Sequence, residues 1–405
     1  MPLTRRSTLL GLSAVLAAGP VTLALADAAT GRRFVVVLLR GALDGMAAVV
    51  PYGDPNLRAL RAGLVPPEPG SGKDSLLDLG GFFALHPAFS GLHALYREGE
   101  LLPVHSIAGP YRTRSHFEAQ DLMQTGATET DTAITPGIIS GWVNRVLLEL
   151  PSRGQAAAGT GLAVGVGMPL LLRGKATVGS YAPAGFAAPS PDLYRRIAAL
   201  NAPDPLLGPA IAEGLAEQHF DAQTFAMDGE PRRTPRTGYG FPALAMQAGK
   251  LLAAPAGPRI AAFQLEGWDT HGNQTALLRP PLAALDAGLV ALKTALGPAW
   301  RDTVVLVITE FGRTARMNGT RGTDHGTATV AFLLGGAVAG GRVRATWPGL
   351  GPGQLFENRD LAPTADVRAL AKGALAAQFG LSASALARVF PESAEAAPMT
   401  GLLRG

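Results

Sequence analysis

The chain has no cysteine among its 405 residues, and aromatic residues make up only 6% of it. Without thiols it forms no disulfides, so its core alone has to hold the fold. Three signatures of well-known sites are also missing: the G-x-S-x-G elbow of serine hydrolases, the Walker loop and the dinucleotide fingerprint. Charged residues amount to 16% and hydrophobic residues to 47%, a balance that excludes a disordered or fibrous protein.

The N-terminal stretch MPLTRRSTLLGLSAVLAAGPVTLALADAA has the features of an export signal. Arg5 and Arg6 precede an apolar stretch, and ALA at 24–26 places small residues before a cleavage site. The paired arginines predict the twin-arginine export machinery as a partner, with an ordinary secretory signal or an uncleaved anchor as the alternatives. We therefore predict a signal peptide at 1–26, a periplasmic or secreted location, and no membrane span after signal removal.

The charge balance of the remaining chain is close to neutral. The formal net charge of +4 falls to +2 when the segment with Arg5 and Arg6 is removed, because residues 1–26 contain no Asp or Glu. Such a balance predicts no nucleic-acid partner. The length suits one large domain, which we predict over 27–405, with loops and helices inserted at about 151–240.

Short β-branched runs alternate with Ala- and Leu-rich segments of helical spacing. The runs lie in RFVVVLLRGALDG (within 32–45), PRIAAFQLEGWDTHGNQ (258–274), DTVVLVITEFG and ATVAFLLGG. SHFEAQDLMQTG at 115–126 predicts a helix that begins at Ser115 and stops at Gly126. The alternation predicts an α/β fold with an open, doubly wound, largely parallel sheet and helices on both faces.

Carboxylate and imidazole side chains adjoin several predicted strands, at the edge where doubly wound sheets bind their ligands. Clustered carboxylates repel one another and are normally neutralised by cations. We therefore predict one or two divalent metal ions; zinc suits a mixed carboxylate and imidazole set, and manganese or calcium are alternatives. The predicted ligands are Asp44, Asp269, His271, Glu310, Asp324 and His325.

The same residues also have simpler structural explanations that need no metal. Asp44 also suits the cap of a helix that begins near Met46, and Glu310 also suits an ion pair with Arg313. A short motif such as DTH or DHG is, taken alone, more typical of a loop histidine than of a metal ligand.

Ser115 is the candidate nucleophile, with a plain N-cap role as the alternative. The positive end of the predicted helix dipole, together with Arg112 and Arg114, favours an approaching anion. A hydroxyl group next to a metal can attack phosphorus or sulfur. His116, the next residue, is a candidate ligand or proton donor.

The chain resembles an exported bacterial family, domain of unknown function 1501, in five segments: LLRGALDGMAAVVPYGD, RSHFEAQDLMQTG, GWDTHGNQ, TEFGRTARMNGTRGTDHG and RDLAPTADVRALAKGALAAQFG. That family is similar in turn to the alkaline phosphatase and sulfatase superfamily. The resemblance implies an alkaline phosphatase-like fold and hydrolysis of a small anionic ester, a phosphate or a sulfate. It also implies attack by Ser115, with Arg114 or Arg313 binding the remaining oxygens.

Two features depart from that superfamily. Phe311 stands where the second residue of an Asp-His pair of ligands is expected, and the Cys- or Ser-Pro-Arg signature of sulfatases is missing. When the predicted helix is laid on the sulfatase helix, the nucleophile position falls on His116, one residue after Ser115. These departures favour a second hypothesis: a non-catalytic exported binding or assembly protein that keeps the fold and one structural metal.

Overall fold

The computed structural model describes residues 31–128, 140–150, 161–165, 167–176, 178–181, 240–255 and 257–405. The predicted signal peptide at 1–26 and most of the predicted insertion at 151–240 lie outside these residues. The described residues contain an eight-stranded sheet and a small three-stranded sheet.

The eight-stranded sheet is parallel except at one strand. The strands along the chain are β1 (Arg33–Arg40), β2 (Val49–Val50), β3 (Leu77–Asp78), β4 (Ala84–Leu85), β5 (Leu101–Ala108), β6 (Gly161–Val164), β7 (Val178–Tyr181), β8 (Ile260–Glu266), β9 (Thr303–Thr309), β10 (Thr329–Leu334) and β11 (Ala365–Asp366). The large sheet has the order β11-β5-β10-β9-β1-β8-β6-β7, and β2, β4 and β3 form the small one. In the large sheet β10 is antiparallel to β5 and β9, and every other pairing is parallel. The largely parallel sheet predicted from the sequence is confirmed.

Helices cover both faces of this sheet. The α-helices of the described residues are α1 (Gly45–Ala48), α2 (Leu57–Arg61), α3 (Ser90–Arg97), α4 (His116–Thr125), α5 (Trp142–Glu149), α6 (Phe241–Ala253), α7 (Gln274–Leu296), α8 (Val367–Phe379) and α9 (Ala383–Val389). Alternate residues of β1 from Val35 to Leu39 pack into one core with α3, α6 and α7. The intervening residues from Phe34 to Leu38 pack into a second core with α5, α8 and α9. This alternation is that of a strand buried on both faces, so the doubly wound arrangement is confirmed.

α7 lies in the first core although it is unusually long and apolar. The segment Gln274–Asp302 is long and apolar enough to cross a membrane, the one such helix in the described ranges. Its leucines from Leu278 to Leu296 are buried against the sheet. That burial is typical of a core helix in an α/β protein.

The direction of β10 determines which loops meet at the functional edge of the sheet. β5, β8 and β9 end at the carboxyl edge of the parallel strands. Because β10 runs the opposite way, it begins at that edge, with Thr329 opposite Ile107 near the end of β5. The loop that precedes β10 therefore lies beside the loops that follow the parallel strands.

Candidate metal centre

Three side chains from three separate segments converge at this edge: His116 from the first turn of α4, Asp269 from the loop after β8, and His325 from the loop before β10. One ligand atom of each lies within 4.8 Å of the others. Nε2 of His116 is 2.9 Å from Nε2 of His325. Oδ2 of Asp269 is 3.4 Å from Nε2 of His116, and Oδ1 of Asp269 is 3.4 Å from Nε2 of His325. The part of the chain that the structure describes contains one such group.

His271 adds a fourth donor at the rim of the group. Its Nε2 lies 3.0 Å from Nε2 of His325 and 3.0 Å from Oδ1 of Asp269. The side chains of His271 and Asp269 are 48% and 43% exposed. The group is therefore open to solvent on the side of the loop after β8.

Glu310, a predicted ligand, lies behind His116 and not in the centre. Its Oε1 is 2.8 Å from Nδ1 of His116 and accepts hydrogen bonds from the Gly41 amide and from Nε2 of Gln120, both at 2.8 Å. Its Oε2 accepts from the Thr309 hydroxyl at 2.8 Å. Burial raises the pKa of Glu310, but the hydrogen bonds from His116 and Gln120 outweigh it, and the pKa lies below its usual value. The carboxylate is occupied by these partners and orients His116 instead of facing the cluster.

Asp324, also a predicted ligand, stands in the same relation to His271. Its Oδ1 is 3.0 Å from Nδ1 of His271 and accepts from Nδ2 of Asn318 at 3.1 Å. The hydrogen bond from His271 holds the pKa of Asp324 below its usual value. Nδ1 of His325 lies 3.0 Å from the backbone carbonyl of Arg114. All three imidazoles thus have an oxygen acceptor at Nδ1.

The chemistry of this donor set fits a divalent metal ion. When Nδ1 donates its proton to an outer oxygen, each Nε2 presents a lone pair to the centre. Three lone pairs and a carboxylate that face one another at about 3 Å repel unless a positive charge lies between them. An outer oxygen behind each ring is the usual arrangement around a metal-bound histidine.

Phe311 lies where the superfamily resemblance implies a further ligand. Its ring is 3% exposed and stacks on the ring of His116, with centroids 4.9 Å apart. The ring centroid of His325 is 5.3 Å away. Phe311 therefore provides an apolar wall that supports two imidazoles, and it supplies no donor for a second ion.

Asp44 is not brought into the cluster. Its carboxylate is 2.9 Å from a guanidinium nitrogen of Arg61, both side chains are 1% exposed, and Nε2 of Gln274 donates to it at 2.6 Å. Arg61 also donates to the carbonyls of Ala315 and Thr314, at 2.8 and 2.6 Å. Asp44 is the N-cap residue of α1, the alternative role that the sequence suggests for it. Its side chain makes no cap hydrogen bond, however. The structure thus gives Asp44 a place in a buried ion pair and not the predicted place among the ligands.

The two arginines predicted to bind substrate oxygens have other partners. A guanidinium nitrogen of Arg313 donates to Oδ1 of Asp269 at 2.6 Å, and the Arg313 side chain is fully buried. Arg114 pairs with the buried carboxylate of Asp360 at 2.8 Å. Arg313 therefore fixes Asp269 from behind instead of pairing with Glu310. Neither guanidinium is left free for an anion.

Ser115 is the N-cap residue of α4, with an extended backbone (φ −90°, ψ 124°) and no side-chain cap hydrogen bond. The helix ends at Gly126 in the left-handed region, as the sequence predicts. Arg112 donates to the carbonyls of Gly109 and Tyr111. Ser115 therefore lies one residue before a side chain of the metal cluster, and its hydroxyl is not held by the helix.

Replacing Glu310 by Gln is expected to weaken zinc binding by about 10- to 100-fold, the usual cost of losing an outer partner of a metal-bound histidine. The amide keeps the size of the side chain but removes the charge that orients His116. Competition with a chromogenic chelator measures the affinity. Glu118→Gln is the control, since Glu118 lies with His116 in the first turn of α4 and, among the described residues, its carboxylate accepts from the Tyr111 hydroxyl. Equal affinities of wild type and Glu310→Gln would contradict the orienting role.

The sequence model of a family described as "Protein of unknown function (DUF1501)" matches residues 187–390, half of the chain. The chain belongs to this family. The matched range contains Asp269, His271, Glu310 and His325 of this DUF1501 protein, whereas His116 lies outside it. No protein of curated function matches in sequence.

Solved structures similar to this DUF1501 protein include members of the alkaline phosphatase superfamily and sulfatases. A protein in the alkaline phosphatase superfamily from Vibrio parahaemolyticus has 12% identity and a TM-score of 0.38 over 82% of this chain and 69% of its own. The PsFucS1 sulfatase from Pseudoalteromonas sp. has 12% identity and a TM-score of 0.35 over 77% and 64%. Ps i-CgsB in complex with k-i-k-neocarrahexaose has 10% identity and a TM-score of 0.41 over 91% and 77%.

Proposed function

We propose that this DUF1501 protein is an exported, metal-dependent hydrolase of phosphate or sulfate esters. The observation that carries the proposal is the convergence of His116, Asp269 and His325, each fixed from behind by a separate partner. A site that is so fully oriented yet open to solvent is suited to catalysis, which needs an accessible metal position.

Zinc is the ion that a nitrogen-rich set with one carboxylate suits best, since calcium prefers oxygen ligands throughout. In this proposal His116, Asp269 and His325 would hold one ion, and the exposed His271 would lie at the rim of the position left for the ester oxygen. When bound, zinc supplies a Lewis acid for an ester oxygen. The absence of a donor at Phe311 favours one ion over two.

The first turn of α4 supplies the groups that meet the ester. Its backbone N–H groups have no partners within the helix, and the Ser115 side chain does not cap them, so they can bind anionic oxygens. In this proposal the Ser115 hydroxyl, next to His116, gives up its proton and attacks phosphorus or sulfur, and the alcohol of the ester leaves with a proton. Water then releases phosphate or sulfate from the serine. Arg114 and Arg313 act through Asp360 and Asp269 and do not contact the substrate.

Export is part of the proposal. The paired Arg5 and Arg6 support the twin-arginine route, and a periplasmic or secreted location follows from it. A protein without cysteine that folds and loads its metal before export needs no disulfides outside the cell.

Zinc-loaded protein is expected to hydrolyse p-nitrophenyl phosphate or p-nitrophenyl sulfate. Ser115→Ala is expected to lower kcat by several orders of magnitude without changing the zinc content, because loss of a nucleophile leaves only binding and electrostatic effects. Thr113→Ala, which removes an exposed hydroxyl two residues earlier, is the matched control. Turnover undiminished in Ser115→Ala would rule out this serine as the nucleophile.

The second hypothesis, a non-catalytic exported binding or assembly protein with one structural metal, has an observation in its favour. His116 takes the place that the resemblance implies for the nucleophile and faces the metal cluster. Four protein donors around one ion are also typical of structural zinc sites. Zinc bound in full, with no turnover of either ester, would favour this role over the hydrolase.

A further inference from the structure

A cavity of about 350 Å³ lies apart from the metal centre. It is bounded by the segment after α2, by the turn between β4 and α3, and by the first turns of α7. Its volume is in the range of small-molecule sites. Much of its wall is apolar, with Leu64, Val65, Pro67 and Leu278 among the lining residues, and none of the metal-cluster residues lines it.

His86 is a buried polar group that this cavity leaves without a partner. The side chain is 9% exposed, and Nδ1 accepts a hydrogen bond from the Ala88 amide at 3.0 Å. The ring proton of the neutral imidazole therefore lies on Nε2. Within the described chain, Nε2 has no hydrogen-bond partner, and the protein does not fully enclose this atom. Nε2 is therefore a donor without a protein partner at the cavity wall, where an acceptor on a bound ligand can pair with it.

The neutral state of His86 follows from its surroundings. Burial, with a smaller contribution from the nearby Arg279 and against the opposing effect of Asp74, lowers the pKa of His86 to about 4. The imidazole is therefore an uncharged donor at neutral pH.

The other polar groups of the cavity are already engaged. Arg279 and Asp74 form an ion pair at 2.7 Å, with side chains 48% and 60% exposed, so their charges offset each other. The buried Gln274 donates to Asp44 and accepts from the Thr323 hydroxyl at 2.6 Å. The cavity therefore combines apolar walls, an exposed ion pair without net charge and, at the buried His86, a donor that has no protein partner among the described residues.

We propose that this cavity is a second ligand site, which binds a neutral small molecule with an apolar body and a carbonyl or hydroxyl oxygen that accepts from Nε2 of His86. An anion is disfavoured because Asp74 offsets the charge of Arg279, which lines the cavity. A cation is disfavoured because the unused group is a donor. The site does not depend on the proposed hydrolysis, since it shares no residue with the metal cluster.

Acetophenone is a suitable probe, with ethylbenzene as a match of similar shape that lacks the carbonyl and benzoate as a match that carries a negative charge. NMR titration of the zinc-loaded protein is expected to show binding of acetophenone and weaker binding of both analogues. His86→Asn keeps an acceptor for the Ala88 amide but places no group at Nε2. It is therefore expected to bind acetophenone about fivefold more weakly, the usual effect of one hydrogen bond, with ethylbenzene unchanged.

Val65→Trp, which fills the cavity from its wall, locates the binding and is expected to abolish it for acetophenone and ethylbenzene alike. Thermal unfolding of both variants verifies that they are folded. Failure of acetophenone to bind the wild-type protein would overturn the proposal. Equal acetophenone affinity in His86→Asn, or binding unaffected by Val65→Trp, would overturn it as well.

Discussion

Zinc binding is expected to weaken by at least about 100-fold when His325 is replaced by Ala, because this residue contributes a donor directly and outer partners alone are worth 10- to 100-fold. His325 is central to the group: its Nε2 lies within 3.4 Å of donor atoms of His116, Asp269 and His271. Its removal therefore takes away the donor that links the others. The zinc-to-protein ratio after dialysis, with the affinity from chelator competition, measures the loss.

The matched control is His93→Ala. His93 lies on α3, and its Nε2 is 2.9 Å from the carbonyl of Asp78, away from the metal cluster. This substitution removes an imidazole outside the metal cluster, so the zinc content should stay at the wild-type level. A His325→Ala protein that retains zinc at wild-type affinity would disprove the proposed centre.

Arg61→Met is expected to lower the free energy of unfolding by about 3–5 kcal/mol, because it leaves the Asp44 carboxylate buried without its counter-charge. Both side chains of the pair are 1% exposed. The substitution also removes the donors to the carbonyls of Thr314 and Ala315, which belong to the loop after β9. Urea unfolding of the zinc-loaded proteins measures the difference.

Arg58→Met provides the control on the same helix. Arg58 pairs with Glu68 at 3.0 Å, but their side chains are 51% and 65% exposed, so the loss should stay below about 1 kcal/mol. Equal losses for Arg58→Met and Arg61→Met would contradict the structural role of the buried pair.

Folded Asp44→Asn should keep its zinc, whereas loss of zinc at unchanged stability would restore Asp44 as a ligand.

Much of the fold is predictable from local sequence pattern. Apolar β-branched runs such as those of β1 and β9 indicate strands buried on both faces, and the cores on the two sides of β1 confirm it. The helix from His116 to Thr125 follows from an N-cap residue and a terminal glycine. The direction of β10 is not predictable in this way, because an apolar run is equally typical of a parallel and an antiparallel strand. Pairing partners far apart in the chain decide it.

The candidate site is predictable in its residues but less so in their roles. Asp269, His271 and His325 were predicted as ligands, and the structure brings their donor atoms together. Glu310 and Asp324 instead lie behind the imidazoles of His116 and His271. Position at a strand end does not determine which way a side chain points. Arg61 and Gln274, which hold Asp44, follow no strand end, so no strand-end pattern indicated them.

The sequence by itself determined the α/β class, the family and the edge of the sheet where the charged residues gather. These depend on periodicity and on short motifs, which are local properties of the chain. Only the tertiary structure decided that Asp44 is balanced by Arg61, that Phe311 supports His116, and that His116 faces His325 at 2.9 Å. His116 and His325 are 209 positions apart, and they meet because the antiparallel β10 begins at the edge where β5 ends. Contacts of this kind depend on strand order and side-chain direction, which no local pattern specifies.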